Sequence, residues 1–599
     1  MPVSRDLQKT RIFAGEPKFC TFVKITIIVN RIPRLLAAAA ALCFWTVSFA
    51  GTGVPELPDP NPADPSVWAA VKAPSFGWGS IDIRYPKTAP AATSTKAVRL
   101  EAWRGERVSA QAVLSAPAGF SSVKINASDL KSGRNVIPAS AVSKYFVRYV
   151  LGDEKYHQQG VMLTADMLDP APGMAVEART SRPVWIEVKV PADAAPGLYK
   201  GTVSLDCDGA TFRLPLQINV SSNLLPEPSE WAFHLDLWQN PYAVARYYGV
   251  PLWSEEHFAR MRPLMEMYAA AGGKVITASI ISRPWNGQTY DPFETMIGKF
   301  KQIDGGWKYD YSVFDKWVAF AISCGVDAQI DCYTLVPWSY KFEYYDCATG
   351  CVRQVACSPQ EPAYRELILP FLKDFAAHLK ARGWFDRTCI AMDERPMEQM
   401  AAALAVVKEA DPGFRIEGAA NYNVDSSSAD GIYDMSVCYE FNLLKAEAVE
   451  RRRAAGQKLT FYTCCNPVRP NTFTFSDPAE SAFLGWHAAA AGYDGYLRWA
   501  LNSWTEEPLQ DSRYPAKNWS SGDCYLVYPG GSSIRFERLV EGIQDYEKIR
   551  ILRRSASAEK VAAFEAVLAE HFLSPQYDDS RPAAFWLAKG KEALRKLER

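Results

Sequence analysis

The segment "CIAMDERPMEQM" at 389–400 ends an apolar run with two adjacent acids, Asp393 and Glu394. A carboxylic acid and a carboxylate side by side can give and take protons in a glycosyl-transfer reaction. A retaining glycosidase with its own nucleophile holds its carboxyl groups about 5–5.5 Å apart across the scissile bond, and an inverting one holds them wider. Sequence neighbours have Cα atoms about 3.8 Å apart, and within a strand they point to opposite faces. Only at a strand end, where the backbone turns, can both reach one cleft. Pro396 favours that turn by restricting Arg395. Both acids then approach from one side, which suits a sugar that supplies its own nucleophile. In a 2-acetamido sugar the carbonyl oxygen can attack the anomeric carbon and form an oxazolinium ion. One carboxylate would orient the amide N–H while its neighbour, its pKa raised by like charge and partial burial, protonates the leaving oxygen. The plain alternative is a solvated acidic loop.

The elements around the pair favour a strand end. From about 231 the chain alternates strand-like and helix-like stretches. The strands are "WAFHLDLW", "KVITASII", "DAQIDCYTL", "RTCIAMDE", "FRIEGAAN", "DMSVCYE", "LTFYTCCN" and "YLRWALNSW". Helices are expected at Glu255–Ala271, Val313–Cys324, Ala363–Arg382, Met397–Ala410, Leu444–Gly456, Ala479–Ala491 and Phe536–Arg554. Eight strands alternating with these helices over 231–555 predict a (β/α)₈ TIM-type barrel. A doubly wound open sheet is the runner-up, and no Gly-rich phosphate loop follows a strand to support it.

Upstream, 66–225 carries short alternating runs such as "RPVWIEVKVP", with Gly and Pro between them. This predicts an N-terminal β-sandwich, each strand burying one face and wetting the other. "SSNLLPEPSE" at 221–230 marks the boundary, and 51–65 is a proline-rich linker. Residues 556–599 read as a C-terminal helical segment. Residues 1–50 place Lys24, Arg31 and Arg34 before the apolar run Leu35–Phe49 and end in "SFA", so a signal peptide and export are expected. The run is too short for a convincing membrane span.

Without those 50 residues the chain loses seven Lys/Arg and two Asp/Glu, from 66 and 67, leaving 59 against 65, a net charge of −6. No basic patch points to nucleic acid. Cys20 and Cys43 leave with the signal. In "YYDCATGCVRQVAC" a disulfide between Cys347 and Cys351 across the Ala-Thr-Gly turn is expected, with free thiols as the alternative and Cys357 close by. The six scattered histidines and the lack of a Cys-x-x-Cys pair give no metal site, and no cofactor is implied.

In a (β/α)₈ barrel the C-terminal strand ends line the active site. That rule selects His234, Asp236 and Trp238 on the first strand, Asp331 and Tyr333 on the third, and Asp393 and Glu394 on the fourth. It adds Asn421 on the fifth, Tyr439 and Glu440 on the sixth, and Tyr462 and Asn466 on the seventh. Arg498, Trp499, Asn502 and Trp504 close the ring on the eighth. Acids, amides and rings at one rim suit sugar recognition; the chain's 18 Trp, 28 Tyr and 29 Phe leave rings to spare beyond a core. Core packing is the competing reading for His234, Trp499 and Trp504, and internal pairing for Arg498 and Arg395.

"MDERP", "GYDGYLRWALNSW" and "YPGGSSIRFERLVEGIQDYE" together resemble glycoside hydrolase family 123, over about 66–555. The resemblance implies a β-N-acetylgalactosaminidase with an N-terminal β-sandwich, a barrel catalytic domain and substrate-assisted chemistry. By motif, Asp393 would hold the acetamido group and Glu394 would be the general acid/base. Trp499 and Trp504 would wall the acetamido pocket or stack on the ring, and from strand position Tyr462 or Tyr439 would bond the acetamido oxygen; Tyr333 and Asp523 are further candidates. The expected function is an exported retaining exo-β-N-acetylgalactosaminidase acting on a GalNAc-terminated glycan or glycolipid. The alternatives are a β-N-acetylglucosaminidase or other hexosaminidase of the same mechanism, and a non-catalytic carbohydrate-binding surface protein.

Overall fold

The computed structural model describes residues 53–154, 160–420, 431–439, 446–515, 519–573 and 581–598. The expected signal segment, with Cys20 and Cys43, lies outside the described residues, as do Asn421 and Glu440.

The N-terminal part is mostly strand. One sheet runs Ser75–Gly79, Arg107–Ala116, Thr180–Lys189, Val142–Gly152, Met162–Asp169, and the short strand Ser532–Ser533 from far along the chain joins its edge. The second sheet has Val98–Arg104, Ala210–Leu224, Gly197–Cys207, Phe120–Ala127 and Met174–Val176 as its main path. Period-2 alternation turns Leu214, Leu216 and Ile218 inward, where they meet Leu114, Val184 and Ile186 of the first sheet in one core. The expectation of a wetted outer face fails for Thr180–Lys189. Trp185 and Glu187 are buried as well, because the helix Ile534–Ser555 covers that face; Trp185 shares a cluster with Ile534.

The eight expected strands all form. They are His234–Leu237, Val275–Ser279, Gln329–Tyr333, Thr388–Asp393, Arg415–Ala420, Asp434–Cys438, Lys458–Tyr462 and Gly495–Arg498, all parallel and in chain order around one sheet. The eighth pairs with the first, and Lys274 N donates to Leu235 O at 3.0 Å where the first meets the second, so the sheet wraps into a barrel. That closure excludes the open doubly wound sheet. The expected helices appear within a residue or two of their bounds. Sequence reading missed the helix Pro241–Tyr248 and a four-stranded sheet, Gly298–Lys301, Trp307–Asp310, Lys341–Asp346 and Cys351–Ala356, in the loops after the second and third barrel strands. Helices Pro478–Ala491 and Ile534–Ser555 touch backbone to backbone: a Cβ on Gly485 would lie 2.1 Å from Gly542 O. The C-terminal helices Ala558–Phe572 and Ala583–Glu598 bury Phe572 and Trp586, and Phe572 stacks on Trp486 at 5.0 Å. Among the described residues no helix is long and apolar enough to cross a membrane.

Asp166 of the first sheet joins the two parts. It is fully buried and accepts from Arg84 Nη1 (3.0 Å), Arg535 Nε (2.9 Å) and Tyr528 OH (2.7 Å). Arg535 Nη1 then donates to Thr472 O, Gly522 O and Tyr525 O in the loops after the seventh and eighth barrel strands. Asp166→Ala would strand a buried guanidinium, and a loss of about 3–5 kcal/mol is expected in denaturant unfolding.

The barrel interior holds an unusual polar layer beneath the rim. His234 Nε2 lies 2.8 Å from Asp434 Oδ2, and Gln329 Nε2 bonds Asp434 Oδ2 at 2.7 Å and Asp331 Oδ1 at 3.0 Å. Burial drives Asp236, Asp331 and Glu417 well above the carboxylate range, helped by their mutual charge. Asp434 alone is held down: burial opposes it, but His234 and Gln329 outweigh burial. Glu417 is protonated in the fold at pH values where the unfolded chain, above about 4.3, is not. Its contribution is present at low pH and lost as pH rises through the folded value. Glu417→Gln cannot ionise, so its thermal midpoint should gain on the parent steadily from mildly acidic to alkaline pH.

Candidate active site

Asp393 is the last residue of the fourth barrel strand, paired with Ala419. Glu394 follows in the left-handed region at φ 40°, with its N–H donating to Ala419 O at 3.0 Å. A glutamate gains nothing locally from that conformation, which costs on the order of 1 kcal/mol. The turn brings Glu394 off the strand alternation while the neighbouring strand pins its backbone. Helix Met397–Ala410 starts directly after, with Pro396 at its N-cap.

Each acid has an aromatic partner. Trp338 Nε1 donates to Asp393 Oδ2 at 3.0 Å, and the Tyr462 hydroxyl donates to Glu394 Oε1. Burial first, and the Glu394 charge second, push Asp393 up to about 7; Trp338 and Arg395 pull it back. Arg395 is itself fixed: its guanidinium lies 4.0 Å over the Trp338 ring, and its Nε donates to Asp393 O at 3.0 Å. Burial and the Glu394 charge raise the Tyr462 hydroxyl, so it stays a donor.

Around the pair the rings form a cup. Trp238 stacks on Trp285 at 4.8 Å, both pack on Tyr333 at 4.5 and 5.1 Å, and Phe293 closes on Trp285 at 4.8 Å. Tyr462 and Leu497 belong to the same cluster, with Trp253, Trp338, Cys464 and Trp499 against it. Trp499 is held by Nε1 to Asp523 Oδ1 at 2.9 Å and lies edge-on to Trp519 at 5.2 Å; Trp519 Nε1 bonds Gln288 O at 3.0 Å. Two loops, after the second and eighth strands, are thereby tied across the rim.

Of the rim residues chosen from the sequence, Asp393, Glu394, Trp238, Tyr333, Tyr462 and Trp499 come together. Others do not. His234 and Asp236 lie in the barrel interior, because they precede the strand end; Asp236 reaches the cup only through Trp238 Nε1, at 3.3 Å. Asp331 lies in the same interior layer. Arg498 is fully buried and occupied by Asp523 (2.8 Å), Thr463 Oγ1 (2.8 Å) and Asn471 Oδ1 (2.6 Å), so it braces the seventh and eighth loops instead of facing a ligand. Trp504 points behind the barrel wall, its Nε1 on Val527 O and its ring against Tyr247. Tyr439 packs on Phe461 and His487, on the helix side of the strand. Asn502 accepts from Asn240 N at 2.9 Å and is structural; Asn466 sits exposed in the turn after the seventh strand. The expected disulfide is not formed: Cys347 and Cys351 are free, since the hairpin register sets Cys351 opposite Asp346 and leaves Cys347 in the turn. The loop after the third strand does reach the site, through Trp338. Trp285 and Trp338 were missed; each follows a proline, in "SRPWNG" and "LVPWSY", a few residues past a strand end. Among the described residues no cluster of three or more His, Cys, Asp or Glu is arranged to hold a metal.

A parallel (β/α)₈ barrel with a carboxyl pair and an aromatic cup at its C-terminal rim defines a barrel enzyme of the glycoside hydrolase type. Family models agree: residues 238–552 match the glycoside hydrolase 123 catalytic domain, and residues 78–207 match the glycoside hydrolase 123 N-terminal domain. The chain belongs to glycoside hydrolase family 123 and is a hydrolase. A family 123 glycoside hydrolase from Clostridium perfringens, whose structure was described for glycolipid glycan hydrolysis, is 26% identical with a TM-score of 0.81, covering 88% of this chain and 98% of its own. An exo-β-N-acetylglucosaminidase of family 20 from Vibrio harveyi is 10% identical with a TM-score of 0.26, covering 84% and 98%. A family 10 xylanase from Thermobacillus composti is 13% identical with a TM-score of 0.28, covering 52% and 97%. No curated protein matches the chain.

Trp338→Phe removes the N–H that favours the Asp393 carboxylate, a bond to a charged group contributing about 1.5–3 kcal/mol. The Asp393 titration, followed by infrared or NMR, should move upward from about 7 by about one to two pH units. Arg395→Met should move it the same way.

Proposed function

We propose that the chain is an exported, retaining exo-β-N-acetylgalactosaminidase that removes terminal GalNAc from glycans or glycolipids by substrate-assisted catalysis, with Asp393 and Glu394 as its working pair. The two-sheet domain is read as the β-sandwich that accompanies such a barrel. The observation that carries the mechanism is the turn at Glu394: both acids reach the cup from one strand end. Neither then stands on the far side of the sugar as a nucleophile, and the 2-acetamido group takes that part.

In the first half-reaction Asp393, as carboxylate, accepts the acetamide N–H and holds the carbonyl oxygen behind the anomeric carbon. Glu394, as acid, gives its proton to the glycosidic oxygen as that bond breaks. The C–O bond from the acetamide forms and an oxazolinium results. In the second, Glu394 takes a proton from water, which attacks the anomeric carbon and restores the acetamide. Two displacements give retention.

Burial and the neighbouring charge raise the Asp393 carboxyl to about 7, so Asp393 holds a proton up to about neutrality. An acetamide N–H directed at Asp393 favours its ionised form, and binding passes that proton to the neighbouring Glu394. kcat/KM should therefore decline as pH rises through about 7, when the proton leaves.

Glu394→Gln should lower kcat/KM by about 10²–10⁴ on natural glycosides and far less on activated aryl glycosides, which need little proton assistance. Asp393→Asn should cost about 10²–10³ on both. A panel of aryl 2-acetamido glycosides, GalNAc against GlcNAc in both anomers, tests the sugar. Faster turnover of GlcNAc would replace the sugar assignment; cleavage of the plain galactoside as fast as its 2-acetamido counterpart would overturn the mechanism.

A further inference from the structure

The turn after the seventh barrel strand carries two consecutive cysteines, Cys464 and Cys465, that the chemistry above leaves unused. Their sulfurs are 3.7 Å apart, so both side chains lie on one side of the turn. Neither is fully buried, whereas seven of the other described cysteines are. Cys464 packs against the aromatic cup, two residues from Tyr462. Its backbone is held at both ends: its N–H donates to Asn466 O at 2.9 Å and its carbonyl accepts from Asn471 Nδ2 at 2.9 Å. Thr463, just before it, receives Arg498 Nη1 on its carbonyl and its hydroxyl. A shift at the sulfurs therefore has a direct covalent path to the Tyr462 ring, and through Arg498 and Asp523 to Trp499.

A disulfide needs the sulfurs at about 2.0 Å and usually Cα atoms about 4.4–6.8 Å apart; the observed sulfur separation of 3.7 Å must shrink, and because neighbouring Cα atoms stand about 3.8 Å apart the closure also distorts the backbone of the turn. Contact with Cys465, burial and the Asp523 carboxylate favour the protonated form of the Cys464 thiol. We propose that Cys464 and Cys465 form a reversible vicinal dithiol–disulfide site behind the sugar pocket, closed by exchange with a small-molecule disulfide, whose closure displaces the Tyr462 wall. The Cys465 thiolate attacks the small disulfide, releasing one thiolate and leaving a mixed disulfide. Cys464, losing its proton, then displaces the second thiol. Two S–H bonds are lost, one S–S bond is gained, and the small disulfide is reduced to two thiols.

The test uses the full-length enzyme with oxidised glutathione and, separately, with phenylarsine oxide, which releases one water as it takes both sulfurs. Mass spectrometry of the peptide containing both residues needs no substrate, so it stands apart from the sugar assignment. A loss of two hydrogens on oxidation is expected, with one arsenic per peptide in the arsenical arm. With whichever aryl glycoside the enzyme cleaves, kcat/KM should fall by about 10- to 100-fold on closure, the scale of a sub-ångström to one-ångström misplacement, and return on adding dithiothreitol. Cys465→Ser should keep the reduced enzyme's activity and lose both responses; the Cys347→Ser, Cys351→Ser double variant should keep both. A persistent glutathione adduct, no cross-link within the peptide, an unchanged kcat/KM after cross-linking, or a response that vanishes in the double variant would each overturn the proposal.

Discussion

One backbone turn governs the site. Strand geometry would send Asp393 and Glu394 to opposite faces, and the left-handed φ of 40° at Glu394 breaks that alternation at the one place where it matters. The neighbouring strand makes the turn affordable, because Ala419 is both the register partner of Asp393 and the acceptor for Glu394 N–H. The fourth strand could not present two carboxyls to one cup as an isolated edge. It does so because the barrel surrounds it with partners on both sides.

The rest of the molecule holds that cup in shape by successive layers of polar contacts. Trp338 and Arg395 hold the first acid, and Tyr462 holds the second. Arg498, bonded to Asp523, Thr463 and Asn471, ties the seventh and eighth loops behind Tyr462 and Trp499. Arg535 reaches the same two loops from the last barrel helix, and Asp166 of the N-terminal domain neutralises it. The N-terminal domain is thus electrostatically continuous with the loops that form one wall of the site, though it contributes no side chain to the cup described above.

The barrel was legible because its signal is local and repeated: eight apolar runs of strand length, with helical patterns between most of them. The carboxyl pair was legible because adjacency, a strand end and a following proline all lie within a few residues. His234 and Asp236 were misplaced to the rim by the same rule that found Asp393. A strand-end rule does not say on which residue the strand stops, and a shift of two positions turns a rim residue into a barrel-interior one. Arg498 and Trp504 were misread for a different reason. Their partners, Asp523, Asn471 and Val527, lie far enough along the chain that no spacing pattern joins them. Trp285 and Trp338 sit in loops, which carry no side-chain period to point to them.

The sequence by itself determined the repeating alternation that makes a barrel, and the placing of two acids at the end of its fourth strand. These depend on short-range properties: side-chain period, propensity and the restriction imposed by proline. Tertiary structure decided which of many polar residues face the cup and which are sealed beneath it, which tryptophan bonds Asp393, and that Cys464 packs against the cup. Those outcomes depend on contacts between residues tens to hundreds of positions apart, whose energies exist only once the ring of strands has closed.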